Sequence, residues 1–261
     1  MTLFLHEIKR NALALLIWSY VIAFMLGICI IIFPEMSAQM GDISDMLSNM
    51  GSFSDAFGMD QLNFGKFVDY FAVECGNTLG IGGSIFAAIL GISALSKEEG
   101  DRTAEFLLSH PISRANIVTS KILSILSQIL IFNTAITVVA FVCASIIGET
   151  SEAGKLLLLF LSNILMQIEI SMICLGISSF LRRGGLGIGI GIAFGFYFLN
   201  IVSNLSDKVE FLKFITPFGY TDGAGIIKNS TLEVKYLIVG AVFTILGIAT
   251  AYKKYISKDI A

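Results

Sequence analysis

An acid in the middle of an apolar run is the first feature of this sequence that could do chemistry. Glu169 follows Gln167 within LLLLFLSNILMQIEISMICLGIS. A carboxylate at the centre of a bilayer costs about 2.5–3.5 kcal/mol on insertion scales, so it has to be paired, protonated or facing a wet cavity. Two roles stay open for it: a step in an ion or proton path, or a hydrogen bond to an amide or hydroxyl on another segment, such as Ser19, Asn133 or Thr137. Replacement by Gln with full activity favours the second. Asp69, Glu74 and Asn77 share one end of another apolar run. Asp69 belongs at the water boundary, with Glu74 deeper, ~10 Å inward from the start of the run at Phe67, at 1.5 Å per residue. An acid there either attracts a cationic substrate at an outer exit or is hydrated by a vestibule.

Other chemistries lack their parts. The two histidines, His6 and His110, lie outside the apolar runs, which argues against histidine catalysis or metal binding within them. The run Gly82-Gly83-Ser84 offers a serine with no base beside it. Cys29, Cys75, Cys143 and Cys174 sit singly, without metal-ligand spacing, and read as small buried residues. Five of the nine methionines fall between Glu35 and Lys66. Soft Cu(I) is one use for such a stretch. The pattern Ile43, Met46, Leu47, Met50 favours an amphipathic helix lying on the outer leaflet instead. No G-x-x-x-x-G-K-[ST] run is present, so this chain does not hydrolyse ATP itself.

The elements that position these residues are apolar segments. The chain of 261 residues is 55% hydrophobic and 14% charged, with a mean hydropathy of +0.83. Soluble domains carry about a quarter charged residues. Runs longer than about 18 apolar residues predict membrane spans. The fold class is therefore all-α: one polytopic transmembrane domain over 1–261, with six spans near 12–33, 67–95, 116–147, 155–181, 186–203 and 234–252. The first run is too long, and lacks the small-residue site, for a cleaved leader. Residues 1–10 form an interfacial helix with Glu7, Lys9 and Arg10 in water, and Pro34 closes the first span. Trp18 and Tyr20 sit away from its ends, so they are not belt residues. With both termini in the cytosol, 11 of the 17 Lys and Arg face inward and 6 outward, as the positive-inside rule favours. That predicts a multi-pass protein of the cell membrane.

Two patterns suggest contacts. On the fifth span Gly187, Gly191 and Gly195 recur every four residues, beside a second ridge of Gly185, Gly189 and Ala193; on the second span Gly83, Ala87 and Gly91 do the same. Small residues at that spacing let helices approach closely in lipid. They serve packing within one subunit or a subunit interface lining a pathway. Between the second and third spans lies the charged island KEEGDRTAEFLLSHPISRANIVTSK, Lys97 to Lys121. Asp101 can cap a short helix that His110-Pro111 ends, so Phe106, Leu107 and Leu108 form an apolar patch among charges. Such a helix either lies on the lipid interface or inserts into the groove of a soluble partner.

The run from Glu98-Glu99-Gly100 through Glu105-Phe106-Leu107-Leu108-Ser109-His110-Pro111-Ile112-Ser113-Arg114 to Lys121 resembles the corresponding loop of type-2 ABC exporter permeases. Asp101-Arg102-Thr103 departs slightly from that family's pattern. Arg182-Arg183 after the fourth span, the Thr216-Pro217-Phe218 segment and the basic tail extend the likeness over the chain. The resemblance implies a permease that forms the translocation pathway of an ATP-driven exporter. The loop is then a cytosolic coupling helix, with Glu98, Glu105, Phe106, Leu107, Leu108 and Arg114 contacting a separately encoded ATPase. Two copies of that ATPase would carry ATP and Mg, and this chain would hold no cofactor. A second permease, identical or a sister chain, would complete the complex in the lipid bilayer, with no nucleic acid involved. It also implies that the second and fifth spans line the subunit interface and pathway, with Gly83, Gly187, Gly191, Gly195, Glu74 and Glu169 as candidates there. The aromatic segment Phe211 to Ile227 is expected to re-enter the outer leaflet before the sixth span. Peptide, lipid, drug or ion are all open as substrate. The alternative is an ATP-independent transporter or channel using the intramembrane acids, which a neighbouring ATPase gene would argue against.

Overall fold

The computed structural model describes residues 2–38, 62–100 and 113–257, excluding the side chains of 2, 98–100 and 207. Among these residues, six helical rods are long and apolar enough to cross a membrane. Helix α1 (Thr2–Ser37) is the first. The second rod joins α2 (Phe67–Glu74), a π-helical segment (Cys75–Ile81) and α3 (Gly82–Gly100). Then come α4 (Arg114–Ile146), α5 (Ala153–Ser178) and α6 (Leu186–Asn204). Two 3₁₀ turns, Asp207–Phe214 and Pro217–Tyr220, and the short α7 (Gly223–Asn229) lead into α8 (Val234–Ser257).

Local chemistry sets several of the ends. Ser113 caps α4 by accepting the Asn116 N–H at 3.3 Å, and Asp222 caps α7 by accepting the Ala224 N–H at 3.2 Å. Such caps satisfy N–H groups left without a partner at a helix start. The corner between α5 and α6 turns on Gly184 (φ +67°) and Gly185 (φ +120°), conformations that a Cβ disfavours.

The middle of the bundle is α5, with α3 on one side and α8 on the other. Glycine makes both approaches possible. A Cβ on Gly91 would stand 2.9 Å from the Cβ of Cys174, and one on Gly176 would stand 2.9 Å from the Gly247 carbonyl oxygen. Further along, the Ser178 hydroxyl accepts from the backbone N–H groups of Leu95 and Ser96 at 3.0 and 3.1 Å. Apolar burial drives no association between rods already surrounded by lipid, so backbone proximity and dispersion hold this trio. Helix α6 packs on α3 through Gly189, where a Cβ would meet Ile92 Cγ2 at 2.8 Å. Helices α1 and α4 form a second pair. Trp18, Phe86 and Phe132 tie them to α3, with ring centroids 6.0 and 4.8 Å apart.

Three expectations change here. Residues 2–10 continue α1 without a break, and Pro34 does not end it: the helix runs on to Ser37. Proline costs a helix one N–H bond, a small loss in the final turn. Glu7, expected in water, is buried, because Lys121 of α4 and Arg10 both reach its carboxylate, at 2.9 and 2.7 Å. The Met-rich helix over residues 43–50 lies outside the described residues.

Candidate functional site: polar groups inside the bundle

Two polar knots inside the apolar core meet at α5. In the first, the Asn133 side-chain amide of α4 donates to Gln167 Oε1 of α5 at 2.6 Å, and Gln167 donates back at 3.4 Å. Both are fully buried. Gly83 of α3 faces this amide, and a Cβ there would collide with the Gln167 side chain. In the second knot, the Tyr220 hydroxyl donates to Glu169 Oε2 at 2.8 Å. Gly240 of α8 leaves the room: a Cβ there would stand 3.1 Å from the carboxylate carbon. Thus Glu169 is paired, though not with Ser19, Asn133 or Thr137. Its partner comes from the segment before α8 and meets α5 ~24 Å along the helix from Ala153, at 1.5 Å per residue.

That segment is seated by several contacts. The Thr216 hydroxyl donates to the Phe196 carbonyl at 2.8 Å and accepts from the Phe218 N–H at 3.3 Å. Phe218 lies edge-on to Tyr197 with centroids 5.6 Å apart, and Phe214 meets Tyr236 at 4.8 Å.

Between this segment, α6 and the π-helical stretch lies a polar cleft. Asn77, Tyr197, Asn200, Asn204, Thr221 and Asp222 supply its polar lining. The Tyr197 hydroxyl reaches Asn77 Oδ1 at 3.5 Å. A π turn carries an extra residue, shifts the faces that follow, and recurs at functional sites. Here it falls where Gly76 and Asn77 open on the cleft.

The remaining acids do not join Glu169. Asp69 accepts the Asn63 backbone N–H at 2.8 Å in the first turn of α2, a structural role. Glu74 lies against Cys29 of α1 and Tyr70. The glycine candidates divide. Gly83 packs within the chain, whereas a Cβ on Gly187, Gly191 or Gly195 would meet nothing within 4 Å. Inside this chain, packing uses the neighbouring ridge of Gly185 and Gly189.

Of the loop residues, Glu105, Phe106, Leu107 and Leu108 lie outside the described residues, as does the side chain of Glu98. Arg114 is described, and its guanidinium donates to the Ile256 carbonyl of α8 at 3.1 Å. Asn200, Asn204, Asp222 and the hydroxyl of Tyr220 escape the sequence reading. The four-residue spacing of Asn200 and Asn204 on an apolar span was the available signal for the cleft. Nothing local marks the Tyr220 hydroxyl, whose partner lies 51 positions away.

The family model described as ABC-2 family transporter protein matches residues 1–258. No curated protein and no solved structure matches the chain. A family match over nearly the whole length, on a bundle of six apolar rods, makes this chain a multi-pass membrane member of the ABC-2 transporter family, with a permease role.

Proposed function

We propose that the chain is the membrane subunit of an ATP-driven exporter, with both termini in the cytosol of a cell whose plasma membrane it spans. Two separately encoded ATPase chains bind ATP and Mg. The charged connection from residue 101 to 112 docks on them. The observation that supports this reading is how the connection is rooted. On its α3 side, Ser178 holds the Leu95 and Ser96 N–H groups, and the Ser96 hydroxyl reaches the Gly184 carbonyl at 3.3 Å. On its α4 side, Arg114 holds α8, the Thr119 and Tyr252 hydroxyls lie 2.6 Å apart, and Lys121 holds α1. A push at the connection therefore bears on five rods and on the corner that leads into the sixth, α6. Closure of the ATPase pair would shift α3 against α4 and open the pathway outward. The segment around Tyr220 then acts as a re-entrant outer lid latched on Glu169. The polar cleft beneath it suits an amphipathic peptide, lipid or drug that presents hydrogen-bonding groups.

Leu107→Asp tests the docking. An apolar anchor in an interface is worth roughly 2 kcal/mol or more, so retention of the ATPase on the purified permease should fall about thirty-fold and ATP-dependent transport should stop. Unchanged retention and ATPase stimulation would sink the reading.

The open glycine ridge of α6 supports a second permease packing there, identical or a sister chain. Gly191→Leu should leave the subunit folded, since a Cβ there meets nothing of its own chain within 4 Å, while lowering the dimer fraction on sizing in detergent. Intact dimers with normal transport would count against this interface.

A further inference from the structure

A groove on the termini side of the bundle belongs to none of the functions above. Its walls are α1, α3 and the start of α6, and its volume is about 340 Å³. That lies within the roughly 300–1,000 Å³ typical of small-molecule sites. Its polarity is graded. Lys97, Ser96 and Ser93 stand at one end with Asn11, and Leu90, Phe86 and Trp18 at the other. From Lys97 to Phe86 the groove runs ~16 Å along α3, at 1.5 Å per residue. Among the described residues, no carboxylate pairs with Lys97.

The groove opens on surface that water would not tolerate. Leu186, which lines it, is 53% exposed, and Leu13 and Ile17, next in sequence to the lining residues Ala14 and Trp18, are 70% and 54% exposed. A lipid phase covers such side chains. Gly184, also in the lining, directly follows the exposed Arg182 and Arg183. Lys97 thus gives the mouth a cation, and the depth is apolar. Basic pockets between spans at this level of a membrane take anionic headgroups.

We infer that this groove is a binding site for an anionic phospholipid, its phosphate at Lys97 and Asn11 and an acyl chain lying along Leu90, Phe86 and Trp18. The site explains Trp18. It is the only tryptophan of the chain, and it sits too deep for an interfacial belt. In the groove its ring packs on Phe86 and forms the floor on which the acyl chain lies.

That single tryptophan also makes the test. The full chain is reconstituted in phosphatidylcholine bilayers, and brominated phosphatidylglycerol or brominated phosphatidylcholine is titrated in. Bromine on an acyl chain quenches an indole it touches. Half-maximal quenching by brominated phosphatidylglycerol should need several-fold less lipid, on the order of five-fold for each cation engaged. Lys97→Gln should bring the two curves together, with Arg182→Gln and Arg183→Gln moving them in the same direction. Equal quenching by the two headgroups in the unaltered chain overturns the site. So does a preference that survives Lys97→Gln, or no quenching by either lipid. Because the headgroup comparison is made on the unaltered chain, it decides the matter even if a variant fails to fold.

Discussion

Glu7→Ala is expected to destabilise the chain by about 3–5 kcal/mol, the usual result of removing one member of a buried ion pair. The Glu7 side chain is 4% exposed and that of Lys121 is 1% exposed. Alanine would take from the ammonium a carboxylate partner held at 2.9 Å, in a place where water cannot replace it. Arg10 would suffer less, since its side chain is 24% exposed and can turn outward. The expected sign reverses for a paired change. Glu7→Leu with Lys121→Met removes both charges and keeps the volume, so it should recover most of the loss. Thermal unfolding of the two variants in detergent checks this. An equal loss in both would mean that packing, and not the ion pair, fastens α1 to α4. The pair sits seven residues into α4 from Arg114, near the root of the charged connection. Glu7→Ala should therefore also loosen the coupling of ATP use to transport, even where the chain remains assembled.

Gly91→Val should be at least as damaging. The nearest obstacles to its side chain are the Ser171 carbonyl, with the carbonyl carbon 2.9 Å from a Cβ, and Cys174 Cβ at the same distance. Overpacking a core costs about 1–3 kcal/mol when side chains can adjust, and more when they cannot. Here the obstacle is backbone, so α3 and α5 must separate as whole rods. That separation also pulls Leu95 and Ser96 away from Ser178. A loss of about 3 kcal/mol or more is expected, seen as a lowered unfolding midpoint and a broadened sizing profile. Gly154→Ala serves as the control, since a Cβ there meets nothing within 4 Å. It should be neutral, or stabilising by up to about 1 kcal/mol through helix propensity. If Gly91→Val behaves like Gly154→Ala, the α3–α5 contact is not what orders the bundle.

These two cases show how unevenly the sequence reveals the molecule. Six rods are legible because each is a property of one segment: enough consecutive apolar residues to leave water. The family likeness is legible for a related reason, since its motif lies in one continuous stretch, Lys97 to Lys121. Lys121 itself shows the limit. Its place after the loop assigns it to the charged inner side, yet it ends 1% exposed beneath α1. Nothing local announces Glu7 as its partner, because the two are 114 residues apart.

Glu169 follows the same rule. Its cost in hydrocarbon says that a partner must exist, and the chemistry narrows the partner to a donor. Which donor depends on the segment before α8 folding back to α5, and on Gly240 leaving space beside the carboxylate. The two glycine ridges of α6 look alike in sequence, and packing uses one and leaves the other bare. In water an amphipathic stripe would say which face turns inward. In lipid both faces of a span are apolar, so the rotation of each rod is set by the close contacts it makes with its neighbours. Composition thus tells which segments cross the membrane, whereas the pairing of Glu169 with Tyr220, of Glu7 with Lys121, and the groove beside Trp18 arise only once those rotations are settled together.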